Sequence, residues 1–163
     1  MPGITLAHGR FLGEAAAVCL EAQQHNPGAT LQVDHGAGND SCRLSWQQCT
    51  EQQVRCHNDF QEATEFGACG IAIELVRELT GLVVVLRSRK GTGFDYWLGH
   101  SGDESREPKA RLEVSGILNG NDALIRSRLR AKLAQMEQSI ESGLPGYVAI
   151  LSFSAPEARV AKP

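Results

Sequence analysis

The chain has 163 residues, 42% of them hydrophobic, which suits one domain with a small appendage. Its 16 basic and 19 acidic residues give a net charge of -3, so any nucleic-acid contact needs a local basic patch. The longest apolar run, Leu82 to Leu86, is too short to span a bilayer, and the N-terminus lacks the pattern of a signal peptide. We therefore expect a cytoplasmic protein with no membrane partner.

The first part of the chain predicts a helix and a strand. Apolar residues at helical spacing predict a helix from Phe11 to Gln24, and a strand follows from Thr30 to Val33. After a polar stretch come a short apolar piece, Leu44 to Trp46, and a glutamine-rich segment with helical character. We interpret residues 1–58 as an N-terminal helix-strand extension packed on a core.

Stronger signals begin at Asp59 and predict one α/β unit over residues 59–163, with the element order α-β-β-β-α-β. Gly81 ends the first helix, and residues Asn119 to Asp122 begin the second. The final residues, Pro156 to Pro163, are expected to form a loose tail. The predicted helices are Gln61 to Leu79 and Ala123 to Glu141, and the predicted strands are Leu82 to Leu86, Phe94 to Leu98, Ala110 to Ile117 and Tyr147 to Phe153.

Two acidic residues fall on neighbouring predicted strands. Alternation places Glu113 on the same face as Arg111 and Ser115, whereas Leu112, Val114 and Gly116 face the other way. On the preceding strand, Phe94, Tyr96 and Leu98 are expected to share one face and Asp95 to lie beside Trp97 on the other. An acid in such an apolar segment needs a partner.

The helix before these strands offers two further acids. At about 100° per residue, its apolar stripe of Ala68, Cys69, Ala72, Val76 and Leu79 centres on Glu65, which predicts that Glu65 lies on the buried face. Glu74 falls on the opposite side, near Arg77 and Glu78, as a solvated charge.

Three acids in apolar settings have two interpretations. Each acid alone is explained by an ion pair with an arginine or by a loop cap. Together they suit a hard cation, because Mg²⁺ binds one or two carboxylates plus waters and substrate phosphate. We therefore expect Mg²⁺ or Mn²⁺ at Asp95, Glu113 and Glu65, and no organic cofactor.

These residues and the element order resemble the PD-(D/E)XK nuclease superfamily, with its restriction-endonuclease-like core. Gly93-Phe94-Asp95-Tyr96 resembles the first motif, Glu113-Val114-Ser115 stands at the second, and Glu65 fits the acid on the first helix. The resemblance covers about Asp59 to Phe153. It implies a mixed central sheet flanked by helices, and two strand acids that bind the metal.

Ser115 stands where the superfamily has the lysine that orients or activates the attacking water, and serine supplies no positive charge. A basic residue from another element takes over this role in some members. Lys132 is one candidate because it flanks the apolar stripe of the second helix, which is formed by Ile125, Leu129, Leu133, Met136 and Ile140. Arg111 is another candidate, although an ion pair with Glu113 or Asp95 also explains it. A solvated helix face explains Lys132 and its basic neighbours equally simply.

The function implied by this resemblance is metal-dependent hydrolysis of phosphodiesters in DNA rather than RNA, in the setting of phage defence. The alternative is an inactive nuclease-like module that binds nucleic acid or protein within a larger complex. A protein partner or a homodimer would supply specificity in either case. The residues expected to bind phosphates are Arg87, Arg89, Lys90, Arg126, Arg128 and Arg130.

A thiol or histidine enzyme is a further alternative, but the histidines show no spacing that pairs one with a cysteine nucleophile. Cys42, Cys49 and Cys56 recur every seven residues beside His57 without the closely spaced ligand pair of a zinc site. We interpret the five cysteines as reduced thiols, and these three as small, partly buried ones. Asp34 and His35 form one local pair, which a loop hydrogen bond explains.

Overall fold

A computed structural model describes residues 1–138 and 143–162 and contains four helices and seven strands within those ranges. The helices are α1 (Leu6–Ala22), α2 (Glu51–Cys56), α3 (Phe60–Thr80) and α4 (Asp122–Gln138). The strands are β1 (Thr30–Asp34), β2 (Asn39–Arg43), β3 (Leu82–Arg87), β4 (Tyr96–His100), β5 (Ala110–Ile117), β6 (Gly146–Ser152) and β7 (Glu157–Ala161).

All seven strands form one mixed sheet in the order β2-β1-β7-β6-β5-β4-β3. Strands β5 and β6 are parallel, as are β1 and β7, and every other neighbouring pair is antiparallel. The α/β prediction is therefore confirmed. Elements α3-β3-β4-β5-α4-β6 follow the predicted order α-β-β-β-α-β.

The predicted loose tail is wrong, because Glu157–Ala161 form β7. The side chains of Ala158 and Val160 alternate with more exposed neighbours and are buried in the main core. Strand β7 pairs with β6 on one side and with β1 on the other, so it joins the N-terminal strands to the rest of the sheet. The boundary at residue 58 stays a prediction.

Two other boundaries differ from the sequence prediction. Helix α1 begins five residues before Phe11, at Leu6, because the Thr5 side chain accepts a hydrogen bond from the His8 amide and caps the helix. Strand β2 was not predicted; it ends just before the apolar piece Leu44 to Trp46, in which Trp46 donates its indole N–H to Glu21.

Two apolar clusters lie on opposite faces of the sheet. The larger cluster includes α1 and α3, with Leu112 and Val114 of β5, and the smaller one lies beneath α4, with Ile117 of β5. This confirms the predicted alternation along β5. Phe94, however, packs with Trp97 under α4 at a ring distance of 4.6 Å, and not with Tyr96. Regular pairing begins only at Tyr96, so alternation does not extend back to Phe94.

Helix α4 covers the face of β5 that carries Glu113. Ile125 and Met136 are buried, and Leu129 and Leu133 pack beside them, as the apolar stripe predicts. The last members of the prediction, Ile140 and Glu141, lie outside the described residues. None of the described helices combines the length and apolar composition needed to cross a membrane.

Helices α1 and α3 approach closely where α3 has a glycine. A Cβ added at Gly67 would lie 2.8 Å from Ala16 Cα, whereas one added at Gly13 of α1 would meet nothing within 4 Å. We expect Gly67→Ala to lower the free energy of unfolding by about 1–3 kcal/mol, since backbone atoms must shift. Gly13→Ala is the matched control, and its helix propensity should raise stability by about 1 kcal/mol. Urea denaturation of wild type and both variants measures the free energy of unfolding. If both variants change it in the same direction, the close approach of α1 and α3 is contradicted.

Candidate active site

Asp95 directly precedes β4 and lies beside Glu113 of the neighbouring strand β5. The Asp95 amide donates to Leu112 O at 2.9 Å, and the Asp95 carboxylate accepts from the Val114 amide at 2.8 Å. Asp95 thus holds the backbone on both sides of Glu113. The negative charge of Asp95 also acts on the Glu113 carboxyl group.

Glu113 is a buried acid, with 4% of its surface exposed. Burial, followed by the charge of Asp95, raises the pKa of Glu113 to about 7, although the ammonium of Lys132 opposes the rise. Two carboxyl groups beside one ammonium leave an excess of negative charge when both are ionised. This excess favours either a proton or an additional cation.

Lys132 of α4 forms an ion pair with Glu113. Lys132 Nζ donates to Glu113 Oε1, and it also donates to Gln135 Oε1 at 3.3 Å. The Lys132 side chain is 25% exposed, so it lies at the edge of the helix face that packs on β5. The structure therefore brings together Glu113 and the lysine that we proposed from the α4 stripe. Whether Lys132 acts in catalysis stays a prediction.

Arg111 and Ser115, which share the face of Glu113, have other partners. Arg111 donates to Leu144 O from Nε at 3.2 Å and from Nη2 at 2.9 Å, and its guanidinium lies over the Phe94 ring. Glu113 pairs with Lys132, and among the described residues Arg111 forms an ion pair with neither Glu113 nor Asp95, contrary to that alternative. Arg128 of α4 donates to Ser115 Oγ at 3.0 Å.

The prediction that Glu65 lies on the buried face is wrong, because this side chain is exposed. The predicted burial is correct for Ala68, Ala72 and Val76, which are fully buried. Glu65 lies about one helical turn before Ala68, where α3 borders a cleft. Glu65 lines this cleft together with Asp95 and Glu113.

Glu74, expected to be a solvated charge, is instead partly buried. Its carboxylate accepts from Arg77 Nε at 2.7 Å and also lies 3.1 Å from the amino group of Met1. It does not line the cleft that contains Asp95 and Glu113.

The cleft has a volume of about 690 Å³ and a basic rim. Arg87, Arg89 and Lys90 line it, and they belong to residues 87–93, which we call the basic loop. The predicted basic residues of α4 are not among its lining residues. Arg126 pairs with Asp122, Arg128 with Ser115, and Arg130 is exposed. The basic loop is thus the part of the predicted phosphate-binding set that adjoins the acids.

The acids fit a hard cation with two protein carboxylates. Within residues 1–138 and 143–162, no three His, Cys, Asp or Glu side chains are arranged to hold one ion. Mg²⁺ does not require three, since it keeps several waters and often uses one or two carboxylates. Asp95 and Glu113 as this pair, and Glu65 as a further metal ligand, stay predictions.

Sequence reasoning missed Gln135, which lines the cleft and donates from Nε2 to Gly93 O at 3.1 Å. One signal was available, because residues three apart on a helix are neighbours and Gln135 follows Lys132 by three. The signal was weak, since the partner Gly93 lies on a loop distant in sequence.

Within the described residues, no hydrogen bond joins a cysteine to a histidine as a nucleophile pair would require. Burial, followed by the charge of Asp95, raises the pKa of Cys69 to about 12, so its thiolate is scarce at neutral pH. His57 is buried and contacts Glu14 at 3.2 Å. Cys56 is exposed, contrary to the expectation of partly buried thiols.

Asp34 makes the expected loop hydrogen bond, which its carboxylate accepts from the Gly36 amide at 3.0 Å.

No family model, curated protein or solved structure matches this chain.

The raised pKa of Glu113 predicts a pH dependence of stability. Between its usual value of 4.5 and about 7, folded Glu113 keeps a proton that the unfolded chain has released, so raising the pH favours unfolding. We expect wild type to lose roughly 1–3 kcal/mol relative to Glu113→Gln across this window, measured by urea denaturation in EDTA. Below pH 4, the difference in the free energy of unfolding between wild type and Glu113→Gln should not change with pH. A wild-type stability that rises relative to the variant would contradict a raised pKa.

Proposed function

We propose that this protein is a metal-dependent nuclease that hydrolyses phosphodiester bonds in DNA, with a core like that of the PD-(D/E)XK superfamily. The observation that carries the proposal is the contact of Lys132 with Glu113 beside Asp95. It supplies a basic group at the acids even though Ser115 occupies the position of the motif lysine.

Several features of the fold support this proposal. The order of elements α3 to β6 is the one that the resemblance implies. Glu113 lies on β5, and Asp95 directly precedes the neighbouring strand β4. The basic loop borders the same cleft, so a phosphate near Asp95 and Glu113 would have Arg87, Arg89 and Lys90 within the same cavity.

Each residue has a distinct role in this proposal. Asp95 and Glu113 would hold Mg²⁺ or Mn²⁺, which supplies Lewis acidity and lowers the pKa of a bound water. Lys132 would orient the attacking water and stabilise the negative charge that develops on the phosphate. The basic loop would bind neighbouring phosphates and fix the reacting bond in place.

A cleavage assay tests the proposal. Purified protein is incubated with plasmid, linear duplex and single-stranded DNA, and with RNA, in Mg²⁺, Mn²⁺ or EDTA. We expect cleavage of DNA that requires the metal and that falls by at least about 100-fold in Asp95→Asn, which keeps the side-chain shape but lowers its charge. If wild type leaves every substrate intact, or Asp95→Asn cleaves equally well, the proposed function is wrong.

The alternative function is a binding module that keeps the fold without the chemistry. The observation that favours it is the same Lys132–Glu113 ion pair, which can neutralise Glu113 without any metal. Such a module would bind nucleic acid in a salt-sensitive manner, equally well in EDTA and in Mg²⁺, and would not cleave it.

A further inference from the structure

Gln135 lines the cleft and connects the basic loop to Lys132. Its Nε2 donates to Gly93 O at 3.1 Å, and its Oε1 accepts from Lys132 Nζ at 3.3 Å. These partners have opposite requirements, since a carbonyl oxygen only accepts and an ammonium group only donates. A side-chain amide satisfies both with one neutral group, and the two partners together fix its orientation.

The position of Gly93 makes this contact consequential. Gly93 ends the basic loop, has a φ of 84°, and lies two residues before Asp95. The loop closes on itself through the Ser88 amide, which donates to Asp95 O at 2.8 Å. A hydrogen bond to Gly93 O therefore restrains the loop that carries Arg89 and Lys90, close to the chain segment that carries Asp95.

The other end of the amide acts on Lys132. The ammonium lies between Glu113 and Gln135, and the two oxygen acceptors lie on different elements, β5 and α4. A lysine side chain has four rotatable bonds, so two acceptors restrict it far more than one.

We propose that Gln135 is a positioning residue that holds the basic loop and the Lys132 ammonium in a fixed relation to each other. Its catalytic importance rests on the proposed nuclease function, but its effect on the loop and on Lys132 does not. Phosphates bound at the loop are thereby kept in register with the amine beside Glu113. Gln135 acts through these groups and needs no contact with substrate.

Two variants separate the two ends of the amide. Gln135→Met keeps the length of the side chain and removes both hydrogen bonds. Gln135→Glu keeps an acceptor for Lys132 but loses the donor to Gly93 O. Gln52→Met is the matched control, because Gln52 is exposed on α2.

The first measurement is tryptic cleavage after Arg87, Arg89 and Lys90 in native protein, in EDTA and without substrate. We expect cleavage in the loop to be about fivefold faster in Gln135→Met and in Gln135→Glu, a factor that corresponds to one lost hydrogen bond. Gln52→Met should match wild type. Equal rates in all four proteins would overturn the loop restraint.

The second measurement is acetylation of Lys132 by a water-soluble acylating reagent, followed by mass spectrometry. We expect Lys132 to react several-fold faster in Gln135→Met, while Gln135→Glu stays close to wild type. Lys109 provides an internal reference in every sample. If Lys132 reacts equally in wild type and Gln135→Met, Gln135 does not position the ammonium.

The cleavage assay then connects this role to the reaction. We expect Gln135→Met to lower kcat by about tenfold and Gln135→Glu to lower it less, because misplacement of the amine affects the chemical step. An unchanged kcat in Gln135→Met would overturn the catalytic part of the inference. If wild type does not cleave, the proposed function fails by itself, while proteolysis and acetylation still decide what Gln135 does.

Discussion

Replacing Lys132 with methionine should lower kcat for DNA cleavage by about 100- to 1000-fold, the usual cost of removing one group that stabilises developing charge. The Lys132 ammonium contacts Glu113, and within residues 1–138 and 143–162 no other side-chain cation forms an ion pair with that carboxylate. Methionine keeps the apolar stem that packs along α4. The measurement is a single-turnover cleavage assay with saturating Mg²⁺.

The matched control is Lys109→Met, because Lys109 pairs with Glu107 in the loop before β5 and does not line the cleft. Mg²⁺ affinity, measured by calorimetry, separates the two roles of the site. Loss of Lys132 removes a competitor for Glu113, so the variant should bind Mg²⁺ at least as tightly as wild type. A variant that cleaves at the wild-type rate would show that Lys132 does not replace the motif lysine.

Much of the sheet could be predicted because the signal was local. The limits of β5, Ala110 and Ile117, and the opposite faces of Glu113 and Val114 follow from alternation over eight residues. Strand β7 was missed because its five residues, Glu157–Ala161, contain only two buried apolar side chains. Its pairing with both β1 and β6 stabilises it, and a tertiary contact of that kind leaves little trace in local sequence.

The candidate site was predictable to a similar extent. Asp95 and Glu113 could be placed together because Asp95 directly precedes β4, which pairs with β5. Lys132 could be suggested from the apolar stripe of α4. The burial of Glu65 was predicted wrongly. Helical phase gives the direction of a side chain around the helix axis, but it does not show where along that axis the neighbouring elements stop covering the helix. The contact between Gln135 and Gly93 joins a helix to a loop, and no periodicity encodes it.

Neutralising the basic loop should separate binding from chemistry. In the triple variant Arg87→Gln, Arg89→Gln and Lys90→Gln, we expect affinity for duplex DNA in EDTA to fall by roughly 100-fold at low salt. The slope of log K against log salt should become shallower by about three units, since each lost phosphate contact accounts for nearly one. Fluorescence anisotropy over a series of salt concentrations measures both quantities.

The matched control replaces three exposed arginines that do not line the cleft with glutamine, namely Arg10, Arg43 and Arg55. It changes the net charge by the same amount as the loop variant. We expect it to retain most of the affinity and of the slope, because a local patch and not the overall charge binds phosphates in a protein whose net charge is -3. Equal losses in both triple variants would mean that DNA does not bind at this cleft. If the loop variant alone loses binding while wild type never cleaves, the binding-module function is favoured over the nuclease.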